Sequence, residues 1–321
     1  MDNVNDFFAT LSSFLWGWPM IVLLLGTHVF LTVRLRFPQR KLFTAIRISV
    51  QRDKSQKGDV SQFGALATAL AATIGTGNII GVATAVALGG PGAVFWCWLT
   101  GVFGISTKYS EALLAIKYRV KSESGRMLGG PMYTLERGLG WRKMGILFAV
   151  FTAVAAFGIG CTVQANAIST IMHASYGIST EVSGGVLMLL SAAVIIGGVR
   201  SISKVCSMLV PLMALLYVLG CIFILCVNAG YVMPALRLIV CSAFSPQAAG
   251  GGFAGASVIM AARYGIARGL FSNESGLGSA PIVAAAARTK NPVRQALVSS
   301  TGTFWDTVVI CALTGLVIVS S

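Results

Sequence analysis

The feature that most constrains this chain is a succession of apolar runs, each long enough to cross a bilayer. Six runs, at 15–33, 93–116, 146–173, 182–199, 205–228 and 296–319, each cover a ~30 Å hydrocarbon core at about 1.5 Å per residue. Two further stretches, 64–88 and 253–287, are apolar but interrupted by Gly, Ser and Asn. The expectation is an all-α, polytopic membrane protein with eight spanning segments. Composition agrees, since 55% of the 321 residues are hydrophobic and only 11% are charged. A soluble domain carries about a quarter charged residues.

A net charge of +14 raises nucleic acid as a partner, and the placement of the charge argues against it. Of 24 basic residues, 20 fall in alternate connections: around 34–57, 117–143, 200–204 and 288–294. Arg237 alone lies in an intervening connection, and Lys108, Arg263 and Arg268 lie within segments. This is the positive-inside pattern. It places the N-terminus, with Asp2 and Asp6, outside and the 34–60 linker in the cytoplasm, with the inner (plasma) membrane as the location. No basic region or small-residue cleavage pattern precedes Leu15, so a signal peptide is not expected. Seven cysteines without a C-x-x-C pair read as apolar fillers. His28 and His173 are too few for a metal centre.

Residues 1–33 read as an extra N-terminal helix, 34–60 as a basic linker and 61–321 as the membrane core. Apart from 117–145 and 229–250, the later connections are short. Residues 132–139, after Gly129-Gly130-Pro131, read as an interfacial helix. The last run ends at Ser321 with no basic or aromatic anchor, so a truncated chain is expected. Trp16, Trp18, Trp141 and Tyr231 read as belt residues at segment ends.

The two interrupted segments carry the functional content. In the second, Gly75-Thr76-Gly77-Asn78 falls midway through a helical run. Each interior Gly costs about 1 kcal/mol against Ala, so unwinding is easy there. In lipid, freed N–H and C=O groups are tolerated only where something binds them. Half-helix N-terminal amides suit a carboxylate, and freed carbonyls suit a cation or an ammonium. The seventh segment repeats the device in Gly269-Leu270-Phe271-Ser272-Asn273-Glu274-Ser275-Gly276-Leu277-Gly278-Ser279-Ala280-Pro281. By the charge map the two run in opposite directions, five segments apart, as inverted repeats of five helices require. The bland reading of both as glycine packing grooves is weaker, because each break also carries an Asn.

These stretches resemble the alanine or glycine:cation symporter family, also called sodium:alanine symporters. The resemblance rests on Gly75–Ala83 read as GTGNIIGVA, 89–96 read as GGPGAVFW, Gly129-Gly130-Pro131-Met132-Tyr133, Val163-Gln164-Ala165-Asn166 and 271–281 read as FSNESGLGSAP. It implies a LeuT-like fold of ten core helices in two inverted repeats, with one extra helix at the N-terminus. Core helices one to seven would be present and eight to ten missing, leaving the cation site incomplete.

Within that reading, backbone amides around Thr76, Gly77 and Asn78 receive the substrate carboxylate, with Gln164 as a side-chain donor. The Phe271 and Ser272 carbonyls and the Asn273 amide oxygen meet its ammonium. Small facing residues favour alanine or glycine. The Ala71 and Ile74 carbonyls are the candidate cation ligands, and sodium over a proton follows from the resemblance. Glu274 reads as a stabiliser of the following half-helix. Asp306, an acid inside the last segment, reads as coupling or as a partner of Arg263 or Arg268. Lys108 and Glu111 read as an ion pair on one helix face. The expected function is sodium-coupled symport of a small neutral amino acid, with the lipid bilayer as partner and no organic cofactor. A proton-coupled symporter or a channel-like pore are the alternatives. No nucleophile–base constellation and no P-loop supports an enzyme.

Overall fold

A computed structural model describes residues 2–51, 58–244 and 258–321. Helices α1 (Asp2–Leu15) and α2 (Trp18–Arg34) form one apolar run from Asp6 to Arg34. After a 3₁₀ turn, Pro38–Lys41, helix α3 (Leu42–Val50) leads towards the core. Helix α4 (Gln62–Thr73) starts where the Ser61 hydroxyl accepts the Gly64 N–H at 2.9 Å, a side-chain cap on an otherwise orphaned donor. A π-helical turn, Gly77–Gly81, and helix α5 (Val82–Gly89) complete the second segment, bent by 52° from α4.

Helix α6 (Gly92–Lys117) runs 26 residues without interruption. A two-stranded ribbon, Val120–Lys121 with Met127–Leu128, follows it. Helix α7 (Pro131–Leu139) covers the residues expected to form an interfacial helix. Helices α8 (Arg142–Ala155) and α9 (Val163–Tyr176) are joined by a π-helical stretch, Ala156–Thr162, as one long span. Helices α10 (Thr180–Ile195) and α11 (Gly198–Val227) follow. The 229–250 stretch, expected as a plain connection, holds helix α12 (Ala229–Phe244). Pro234 and Arg237 within it lower the apolar signal that would have marked it. Helices α13 (Val258–Asn273) and α14 (Ala280–Ala285) make up the described part of the seventh segment, whose residues 253–257 lie outside the described residues. Helices α15 (Pro292–Thr303) and α16 (Ala312–Ser320) flank a last π-helical stretch, Phe304–Cys311.

Among the described residues, four helical runs are long and apolar enough to cross a bilayer: Asp6–Arg34, Arg142–Tyr176, Gly198–Val227 and Pro292–Ser320. The bent pair of α4 with Gly77–Gly89 makes a fifth, and α10 and α12 are shorter apolar helices.

Helix α6 is the centre of the bundle and packs most closely on α13 and α15. Glycine allows this. A β-carbon at Gly265 would meet the Ala93 carbonyl, and one at Gly269 the Thr100 hydroxyl, so the α13 backbone lies directly on α6. Helix α2 is bound to the same scaffold through buried polar contacts. His28 Nδ1 lies 2.7 Å from Thr107 Oγ1, and Thr32 Oγ1 lies 2.8 Å from Ser106 Oγ. Apolar clusters fill the remaining space: Leu66, Leu70, Ile74, Val210 and Val298 on one side, and Val82, Val86, Val94, Cys97 and Ile239 on the other.

Candidate functional site

The first break follows from the local sequence. Helix α4 stops at Thr73, and Ile74 turns extended at ψ 107°. The Gly75 N–H, which a continued helix would give to the Ala71 carbonyl, goes to Asn78 Oδ1 at 2.8 Å. The Asn78 N–H, which would reach Ile74, goes to the Gly75 carbonyl at 3.2 Å. Both carbonyls singled out as cation ligands thus lose their helical N–H partners. Gln164, on α9, stands opposite. Its Oε1 accepts the Thr76 hydroxyl at 3.0 Å and the Thr76 N–H at 3.4 Å. A side chain at Gly75 would crowd that amide at 3.2 Å, whereas Gly77 faces open space. Asn166, two residues from Gln164, is exposed.

The second break starts later than expected. Helix α13 continues through Phe271, Ser272 and Asn273 before the chain opens. Glu274, Gly276 and Gly278 then adopt positive φ, at 52°, 93° and 84°, a region in which glycine carries no Cβ penalty. Asn273 Oδ1, expected to face a ligand, accepts the Ser275 N–H at 2.9 Å, and its Nδ2 is buried with no partner among the described residues. Glu274 accepts the Ser279 hydroxyl, next to the start of α14. The Phe271 ring meets Trp16 edge-on, with centroids 5.7 Å apart. Trp16, read as a belt residue, therefore touches a candidate site residue.

Two polar assignments change. Lys108 and Glu111 do not form an ion pair: the Lys108 ammonium donates to the Asn273 carbonyl at 2.7 Å, and Glu111 Oε1 accepts the Gly278 N–H at 3.1 Å. Their partners lie on a neighbouring segment, which the spacing of three on one helix cannot reveal. Asp306 bonds neither Arg263 nor Arg268. Its Oδ1 accepts Asn78 Nδ2 at 2.8 Å, and its Oδ2 accepts the Ser272 and Thr307 hydroxyls at 2.9 and 2.8 Å. Asn78 Nδ2 also reaches Ser272 Oγ at 3.0 Å. Asp306, Asn78 and Ser272 are all buried. One carboxylate therefore joins the first break, the end of α13 and the last span. A buried acid costs less when neutral donors share its charge. The only sequence signal for this node was an acid inside an apolar run.

The sequence pattern of the sodium:alanine symporter family matches residues 1–321. The chain is 53% identical to the sodium/alanine symporter AgcS of Methanococcus maripaludis, over 96% of this chain and 69% of that protein. An uncharacterized transporter of Haemophilus influenzae is also 53% identical, over 99% and 70%. The probable sodium/glutamine symporter GlnT of Bacillus subtilis is 39% identical, over 96% and 64%.

Proposed function

This chain belongs to the sodium:alanine symporter family of cation-coupled amino acid transporters, and on that premise we propose that it carries a small neutral amino acid, alanine or glycine, inward with sodium. The observation that carries the reading is the Asn78–Ser272–Asp306 node, which ties both interrupted segments together. A zwitterion seated beside it meets opposite ends of two half-helices. Its carboxylate lies at the Thr76, Gly77 and Asn78 end, where Gln164 now accepts from Thr76. Its ammonium lies at the Phe271 and Ser272 carbonyls beside Asn273. Sodium sits on the Ala71 and Ile74 carbonyls, the hard oxygen ligands such an ion takes.

The relative named for alanine supports the small substrate, and the relative named for glutamine makes side-chain size the point to test. The interrupted pair, α4 with α5 and α13 with α14, supports a LeuT-like inverted repeat, and the one-sided placement of basic residues supports an N-terminus outside and a cytoplasmic 34–60 linker.

The test is radiolabelled alanine uptake into proteoliposomes under an inward sodium gradient, with potassium and proton gradients as controls. Uptake should require sodium and saturate, and unlabelled glycine should compete better than glutamine. Glutamine competing best would overturn the small-substrate reading, and uptake driven by the proton gradient alone would overturn sodium coupling.

A further inference from the structure

Lys108 and Glu111 are charged side chains deep in the bundle that the substrate and cation assignments leave unused. Lys108 is 3% exposed, and both stand on α6, the uninterrupted helix against which the second break lies. Three residues apart, they are separated by about 4.5 Å of rise, and they grip the two ends of that break. The ammonium meets the carbonyl of Asn273, the last residue of α13, where the helix dipole is negative. The carboxylate meets the N–H of Gly278, just ahead of α14, where it is positive. Each charge sits at the end that favours it.

We propose that Lys108 and Glu111 are positioning residues that hold the second break open from opposite ends. They present its backbone to substrate. The inference rests on the symport reading for its consequence, though not for its geometry.

The chemistry favours this over a packing role. An amine inside the bundle, with no carboxylate within ion-pair distance among the described residues, is costlier than a methionine of similar length. Pairing with Glu111 one turn away was available to it. Instead, both charges are directed to the break. Lys108 and Asn273 also line a narrow cavity with Thr73 and Ser299, with room for about one water molecule. That cavity joins the second break to the end of α4. Asn273 Nδ2, buried and unpartnered among the described residues, belongs to the same lining residue, so the ammonium fixes a residue that lies between the two breaks.

The test compares Lys108→Met, Lys108→Arg and Glu111→Gln with the parent protein in two measurements. Hydrogen exchange over residues 270–282, read by mass spectrometry without substrate, should quicken about tenfold in Lys108→Met, as expected for one lost charge-assisted hydrogen bond. Lys108→Arg should return it towards the parent rate. In uptake, Lys108→Met should raise the alanine concentration for half-maximal rate about tenfold, with the sodium requirement changed less. Glu111→Gln, which keeps an acceptor for Gly278, should move both readouts in the same direction by a smaller factor. A merely structural role would lower the amount of folded protein and leave half-saturation alone. Unchanged exchange and unchanged half-saturation in Lys108→Met would overturn the proposal. If Lys108→Met fails to fold, Glu111→Gln decides, and parent values in both readouts overturn it. A parent protein that transports no amino acid would sink the symport reading alone, since the exchange result stands without transport.

Discussion

At the first break the bond lost between residues 71 and 75 is recovered three residues further on, by the Asn78 side chain, and the helix resumes as a π turn. At the second break the local contacts are the Asn273 side chain on the Ser275 N–H and the Glu274 carboxylate on the Ser279 hydroxyl. The chain passes through three positive-φ residues, and its two ends are taken up by Lys108 and Glu111 of another helix. Two interruptions built from similar Gly, Asn and Ser residues thus differ in kind. The first recovers its own lost amide bond and is tied to Gln164, Ser272 and Asp306, whereas the second is braced by two charges of α6. Each break is as stable as the contacts that brace it, and the second answers to the charges of α6.

The contrast can be broken most forcefully at Gly278. Its φ of 84° and the 2.6 Å approach of Phe148 Cζ to an added β-carbon mean that Gly278→Ala combines left-handed strain with overpacking. A loss of about 2–5 kcal/mol is expected, read as a lowered thermal midpoint in detergent. At the first break the largest effect should come from Asn78→Ala, which strips donors and acceptors from Gly75, Ser272 and Asp306 together. It should cost about 3 kcal/mol and abolish uptake, and a variant that transports normally would remove the node from the mechanism. Gln164→Ala removes one half-buried partner of Thr76. Uptake should fall at least tenfold while stability stays within about 0.5 kcal/mol, a split that thermal unfolding beside uptake would expose. The smallest change is Gly77→Ala, in open space on a helical backbone. It should stabilise the protein by about 0.5–1 kcal/mol, the opposite sign to Gly278→Ala.

Much of the fold was legible because hydropathy and glycine content act locally. The run 93–116 became α6 almost to the residue, residues 132–139 became α7, and both interruptions appeared within a few residues of the glycines that mark them. Helix α12 escaped because Pro234 and Arg237 dilute a short apolar run. The second break was placed too early because Phe271, Ser272 and Asn273 are no worse as helix formers than many residues that stay helical. Trp16 near Phe271, Asp306 beneath Asn78, and the separate duties of Lys108 and Glu111 were illegible for a common reason. Each is a contact between residues at least 165 positions apart, and an intramembrane charge signals only that it needs a partner.

By itself, the sequence determined that this chain lives in lipid and where its backbone gives way, since transfer cost and helix propensity are summed residue by residue along the chain. Which side chain answers each freed amide and carbonyl was decided by the packing of α6, α9, α13 and the last span, because a hydrogen bond exists only at the distance that packing sets.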